Sequence, residues 1–299
     1  MPEHRVELDF VIRFRNGGSL RGDGFRLDIP GDDISDPDAA ALLVRDLGLL
    51  MVDEVRLTGR RIVAEPHRRR VSTPGPATDT RRLVELSHVI RDGLVTYPGL
   101  PAPVITDHLS REASRAAYAP GTEFHIARIE MVANTGTYVD APSHRYADGA
   151  DLAGLPLERV ADVPGVVVDV RGSAGRAVGA EAFLPYQLAG HAVLVLTGWS
   201  RHFGTTAYAT GHPFLTEAAA RHLVETGVTL VGIDSLNIDD TSDARRPAHT
   251  ALLAAGIPVC EHLQGLERLP GRGFRFNATP VAVAGMGTFP VRAWAALDP

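Results

Sequence analysis

FLTEAAARHLVETGVTLVGIDS, Phe214 to Ser235, carries the pattern that decides the fold. Thr216 is an N-cap type of residue ahead of an amphipathic run, and Gly227 stands just past its end, so the spacing predicts a helix between them. VTLVGIDS behind it, AVLVLTGW (192–199) before it and GVVVDV (165–170) are continuous apolar runs, the mark of strands covered on both faces. Strand, helix, strand in that order argues for a layered α/β domain. The pattern continues with AHTALLAAG (248–256), a short helix ended by Gly256 ahead of the strand IPVCEHL (257–263).

Upstream, the reading is of a separate unit over residues 1–66. RVELDFVIRF and GFRLDIPG alternate like strands about an NGG turn, and DPDAAALLVRDLGLLM has helical apolar spacing. VDEVRLTGRRIVAEP then reads as two strands about a Thr-Gly turn, giving a small β-β-α-β-β extension of α+β type. The Arg-, Pro- and Gly-rich stretch over 67–82 reads as a linker, and 83–299 as the main domain.

Composition excludes several classes. The chain has 299 residues, a net charge of −6 and 30 positive side chains that are all Arg, so lysine Schiff-base chemistry is ruled out. Nothing in this balance calls for nucleic acid as a partner. Cys260 is the single cysteine, which excludes an intrachain disulfide and a cysteine-built zinc site; its apolar surroundings read as packing. The first residues lack the order of a signal peptide, and no apolar run reaches the ~20 residues of a membrane span. The expectation is a cytoplasmic protein that meets no membrane and takes a small-molecule substrate.

The chemistry concentrates in ANTGTYVDAPSHRYADG, 133–149. A strand in HIARIEMVA (125–133), read as buried, feeds it, Gly136 gives the freedom for a tight turn, and Asp140 and His144 follow close together. A carboxylate and an imidazole so placed can form an acid/base pair or share a metal. His249 opens the helix of RRPAHTALLAAG, and Glu261 lies in an apolar strand, where a carboxylate must be paired, protonated or coordinating. Asp234 and Ser235 end a buried strand and read first as caps. His125 alternates along the strand that feeds the loop and can face a pocket. Trp199 and Phe289 can line an aromatic pocket, and Arg292 can neutralise a substrate carboxylate, against packing and salt-bridge roles for the three.

The loop, TGWSRHFG (197–204), HPFLTEAAARHLVETGVTLVGIDS (212–235), PAHTALLAAGIPVCEHL (247–263) and GTFPVRA (287–293) together resemble the cyclase superfamily that includes bacterial kynurenine formamidase and isatin hydrolase. The resemblance covers about Leu83 to Ala293. It implies a layered β/β/α domain of swivelling type, a homodimer or homotetramer, and hydrolysis of an amide, formamide or lactam with metal-activated water. The family's loop, H-x-G-T-H-x-D-x-P-x-H, falls here on Asn134, Tyr138, Asp140 and His144, and its distant His and acidic ligand fall on His249 and Glu261. Two imidazoles are thus replaced, by a weakly donating amide and by a phenol of reference pKa ~10. The expected metal site is impaired or absent: either no cofactor, or one Zn or Mn ion held by Asp140, His144, His249 and Glu261. Asp140, His144, His249 and Glu261 would then do the catalysis, with Tyr138 donating to a developing oxyanion and Asn134 touching substrate. A metal-independent cyclase, dehydratase or isomerase, and a non-catalytic binding protein, are the alternatives.

Overall fold

A computed structural model of the chain describes residues 3–65 and 82–297, so the linker expected over 67–82 lies outside the described residues except for Arg82. The chain divides into two compact units, one of residues 3–65 with 180–188, the other of residues 82–179 with 189–297.

In the first unit, β1 (Glu3–Phe14), β2 (Ser19–Ile29) and β3 (Val52–Glu65) form an antiparallel sheet in the order β2-β1-β3, with α1 (Asp36–Asp46) between β2 and β3 in sequence. Strand alternation puts Val6, Leu8, Phe10, Ile12 and Phe14 on one face, where they pack with Ala39 and Leu43 of α1. The Thr-Gly turn expected in the last segment is not a turn. β3 runs unbroken, and Thr58 is the extra residue of a bulge between the pairs Asp9–Gly59 and Phe10–Leu57. Glycine is needed there because a Cβ at residue 59 would lie 2.5 Å from Asp9 Oδ2. The segment 180–188 joins this unit through a hydrogen bond from Gln187 N–H to the Gly48 carbonyl and through Tyr186, which packs on the same core.

The second unit runs β4 (Arg82–Glu85), β5 (Val104–Leu109), α2 (Arg111–Ser114), β6 (Ile126–Glu130), β7 (Tyr138–Asp140), β8 (Val163–Asp169), β9 (Ala177–Val178), β10 (Ala192–Leu196), β11 (Phe214–Leu215), α3 (Glu217–Thr226), β12 (Leu230–Ile233), α4 (Pro247–Ala254), β13 (Val259–Glu261), β14 (Phe274–Asn277), β15 (Thr288–Pro290) and β16 (Trp294–Leu297). Its main sheet has nine strands in the order β15-β7-β13-β12-β10-β8-β14-β16-β4. The centre, β8, β10, β12 and β13, is parallel, and antiparallel strands flank it on both sides. The apolar runs expected to be covered on both faces are β8, β10 and β12, almost wholly buried. The fold is thus mixed α/β, as read from the sequence.

The helix that decided the reading is α3. The Thr216 hydroxyl accepts from Ala219 N–H at 3.2 Å, and Gly227 ends the helix in the left-handed region at φ 77°. Ala219, Ala220 and Leu223 form its buried face, and it packs against α4. One local expectation fails: β6, which feeds the opening loop, is exposed throughout and pairs with β5 in a two-stranded ribbon outside the main sheet. Among the described residues no helix is long and apolar enough to cross a membrane.

His88, just past β4, stacks on Phe203 with ring centroids 3.6 Å apart and 5° between planes. Burial pushes its pKa down from 6.5 to about 4. Between those values the unfolded chain binds a proton that the folded chain refuses, so stability falls as pH falls through that window, by at most about 1.4 kcal/mol per pH unit. Urea unfolding of His88→Asn at pH 7, 6 and 5 is expected to show a shallower acid loss than the parent; identical slopes contradict the assignment.

Candidate active site

Strand register assembles the site. Tyr138 and Asp140 are two apart on β7 and share a face. Glu261 of β13 lies directly opposite Tyr138, and Thr288 of β15 directly opposite Asp140. Each cross-strand pair becomes a hydrogen bond: the Tyr138 hydroxyl donates to Glu261 Oε2 at 2.8 Å, and the Thr288 hydroxyl donates to Asp140 Oδ1. His144 follows on the 3-10 turn Pro142–His144, with Nδ1 2.7 Å from the Thr288 hydroxyl. His249 enters from the first turn of α4, with Nε2 3.5 Å from Asp140 Oδ2 and 3.7 Å from Glu261 Oε1.

Asp239, which sequence reading passed over within GIDSLNIDD, holds that imidazole. Its carboxylate accepts from the backbone N–H groups of Ala248 and His249 and from His249 Nδ1 at 2.6 Å. It therefore caps α4 and fixes the ring in one stroke. Asp234, the acid singled out instead, accepts from Thr197 N–H, the Thr197 hydroxyl and Gly198 N–H, tying the end of β12 to the end of β10. Ser235 donates to the Pro213 carbonyl. Both are structural, but they bind segments distant in sequence and do not cap the turn that follows them.

The charges are strongly coupled. Burial alone pulls the His249 pKa down, but Asp140, Asp239 and Glu261 outweigh it and hold it at about 10. Burial raises Asp140, and the neighbouring His249 and His144 overcome this to keep it below the carboxylate range. Burial, with the charge of Asp140 added, pushes Glu261 up to about 7 against the pull of His249. Cys260, between these residues on β13, is fully buried with its thiol pushed up by burial, a packing residue as expected.

The two positions that lack imidazoles are joined to each other. Asn134 donates to the Tyr138 phenol oxygen, and Tyr138 donates onward to Glu261. Behind them, His262 Nε2 lies 3.1 Å from the Tyr138 hydroxyl, and the Tyr208 hydroxyl lies 2.8 Å from His262 Nδ1. When Glu261 is ionised it only accepts, and the order of donation is then Tyr208 to His262, His262 to Tyr138, Tyr138 to Glu261. A left-handed φ of 57° at His262 breaks the strand alternation that would have turned its ring away from Glu261's side. Burial pushes the His262 pKa down to about 3, so this ring stays neutral. The Tyr138 hydroxyl, expected to donate to an oxyanion, here donates to Glu261, and burial raises its pKa.

Asp140, His144 and His249 can each offer a donor atom within 4.8 Å of the others, a set that could hold a metal ion. Asp140 Oδ2 is buried and makes no hydrogen bond among the described residues; it forms an ion pair with His249 Nε2 at 3.5 Å, which leaves it room to bind an ion. The set fits one ion once His249 gives up the proton that its carboxylate neighbours favour: two imidazoles, one carboxylate and an open side, with Asp239 holding one ring and Thr288 the other. Glu261, expected as a fourth ligand, stands outside this set; Tyr138 and the Ile238 N–H each donate to one of its oxygens.

A pocket of about 480 Å³ opens over these groups, lined by Tyr97, Asn134, Tyr138, His144, His249 and Glu261 among others. Asn134 is the one expected substrate-contacting residue that lines it. His125 is exposed and pairs with Asp107 at 2.7 Å. Trp199 donates its indole N–H to the Tyr208 carbonyl, Phe289 packs on the core, and Arg292 is bound to Glu85 at 2.7 Å. None of these four is part of the lining. Missed from sequence were Tyr97, Asn237 and Arg246, which do line it.

Similarity to known proteins agrees with this geometry. Kynurenine formamidase of Bacillus cytotoxicus is 28% identical over 210 residues, covering 70% of this chain and 95% of that protein. Isatin hydrolase A from Labrenzia aggregata superposes with a TM-score of 0.63 at 22% identity, over 73% of this chain and 94% of that one. A structure described as a potential metal-dependent hydrolase with cyclase activity gives 0.60 at 24% identity, over 72% of this chain and 98% of that one. The model of the Cyclase family matches residues 84–240, more than half of the 299 residues. The chain belongs to the Cyclase family.

Proposed function

We propose that this protein is a hydrolase that opens a C–N bond of a small molecule, an amide, formamide or lactam. The observation that carries the reading is the convergence of Asp140, His144 and His249, whose donor atoms lie within 4.8 Å of one another and of which the two histidines line the pocket. Relatives named kynurenine formamidase and isatin hydrolase support the same class of reaction. A zinc or manganese ion held by these three residues would acidify a bound water and polarise the scissile carbonyl.

The chain's own residues do the rest. Glu261, with a carboxyl near 7, is suited to take a proton from the attacking water and return it to the leaving nitrogen at neutral pH. Tyr138, backed by His262 and Tyr208, fixes the orientation of that carboxyl. Asp239 holds His249, and Thr288 holds both Asp140 and His144. In His144→Ala, turnover is expected to fall by at least ~100-fold with circular dichroism unchanged. Undiminished turnover in that variant removes the mechanism.

A second reading is favoured by the Asn134–Tyr138–Glu261 connection at the two altered positions: acid/base chemistry without an ion, in a cyclase, dehydratase or isomerase. Product mass separates the readings. Hydrolysis adds a water, dehydration removes one, isomerisation leaves the mass unchanged, and a binding protein returns its ligand unaltered.

A further inference from the structure

Arg246 stands at the entrance of α4, one helical turn before His249, and lines the same pocket. It is half-buried, and its backbone is left-handed at φ 50°, a conformation that costs a non-glycine residue. Its guanidinium donates to Asn237 Oδ1 at 3.3 Å and to the Tyr97 hydroxyl, both on the pocket wall. These two contacts leave part of a five-donor fork unused. Among the described residues no carboxylate lies within ion-pair distance of it. The nearby Asp243 is taken by the Arg245 fork, at 3.1 Å to Oδ1 and 2.8 Å to Oδ2. Other arginines at this end of the unit have acidic partners, Arg176 with Asp240 and Arg221 with Glu217. Arg145 also lines the pocket but is exposed and rests over the Tyr146 ring at 5.3 Å.

A guanidinium clamped by two neutral side chains, partly withdrawn from water and lacking a counter-charge, is an incomplete ion pair facing a cavity. A carboxylate, planar and singly charged, is a group that such a fork binds through two parallel hydrogen bonds. We infer that Arg246, held by Tyr97 and Asn237, is a carboxylate-binding subsite, so that the substrate of this pocket bears a carboxylate besides the bond to be opened. The inference rests on the hydrolase reading for the second part of that statement; the subsite itself stands on the arginine's surroundings. It moves the role that sequence reading assigned to Arg292 onto a residue fixed one turn from His249. It makes Arg246 a specificity determinant: its charge-assisted fork rewards the acid over the uncharged amide of the same shape.

The test uses 2-, 3- and 4-formamidobenzoate, each against its own primary carboxamide, because the three isomers vary the distance between acid and formamide. Calorimetry on the full chain is expected to show at least one isomer whose acid binds about 10- to 100-fold tighter than its carboxamide. In Arg246→Met that ratio is expected to collapse to near one. Arg246→Lys keeps the charge but not the fork, and is expected to lose several-fold of the preference, which serves if the Met variant does not fold. No preference for any acid in the parent, or a preference unaltered in the variants, overturns the subsite. Formate assays on the same compounds separate the two claims. Selective binding without formate release overturns the formamide form of the hydrolase reading and leaves the subsite standing. Formate released with equal efficiency from acids and carboxamides overturns the subsite and leaves hydrolysis standing.

Discussion

Asp140→Asn is expected to lower turnover by on the order of 10³-fold while the chain still folds. Asp140 meets three groups of the centre: Thr288 donates to its Oδ1, His144 Nδ1 lies 3.6 Å from the same oxygen, and Oδ2 pairs with His249 Nε2 at 3.5 Å without a hydrogen bond. Asparagine keeps the shape and the Thr288 contact, so packing in the β13-β7-β15 segment is retained. The charge is lost. His249 then loses one of the carboxylates that hold its pKa up, and the proposed ion loses its only carboxylate ligand. Partners one step removed from a metal already cost roughly 10- to 100-fold when deleted, and a direct donor costs more. Steady-state kinetics beside near-UV circular dichroism checks this. Retained turnover in a folded Asp140→Asn would mean that the carboxylate is structural.

The second large effect comes from a residue that does no chemistry. A Cβ built on Gly287 would lie 2.3 Å from His144 N, 2.5 Å from His144 Cα and 2.8 Å from the Ser143 carbonyl carbon. All three are backbone atoms, so no side-chain rotation relieves the contact. The Gly287 carbonyl also accepts from Ala141 N–H at 2.7 Å, pinning the two segments together. Gly287→Ala must therefore displace either the approach to β15 or the turn that carries His144. Overpacking of this kind costs roughly 1–3 kcal/mol. A displacement of about 1 Å at a catalytic group costs on the order of 100-fold in rate. Gly271→Ala is the control, because a Cβ there meets nothing within 4 Å. The expectation is a lowered melting temperature and impaired turnover for Gly287→Ala alone; equal behaviour of the two variants would show that the His144 turn is not clamped.

What the sequence made legible follows from how each signal is encoded. The α3 segment was readable because its cap, its apolar spacing and its terminal glycine are all local and agree. Thr58–Gly59 misled because a turn and a bulge both place a glycine inside a strand pattern, and only pairing with Asp9 tells them apart. β6 misled because apolar alternation in Ile126–Glu130 looks the same in a main sheet and in an exposed ribbon. At the site, Tyr138, Asp140, His144, His249 and Glu261 could be named from one loop and its distant partners, yet their pairing came only from the strand register. Asp239 lay inside an acidic run where spacing does not say which carboxylate meets His249. The signal available was a missing one: the N-cap position of α4 is Arg246, whose side chain makes no capping bond, so the first N–H groups need an acceptor from elsewhere in the chain. Arg292 and Arg246 are alike as letters; that one meets Glu85 and the other meets no acid among the described residues is a fact of the fold.

The central claim is that Asp140, His144 and His249 hold one catalytic ion. Metal analysis of the full chain, purified without added metal and assayed on the same preparation, tests it most directly. The account predicts about one zinc or manganese per chain in the active protein, lost together with activity in His144→Ala. An active preparation free of divalent metal would contradict it.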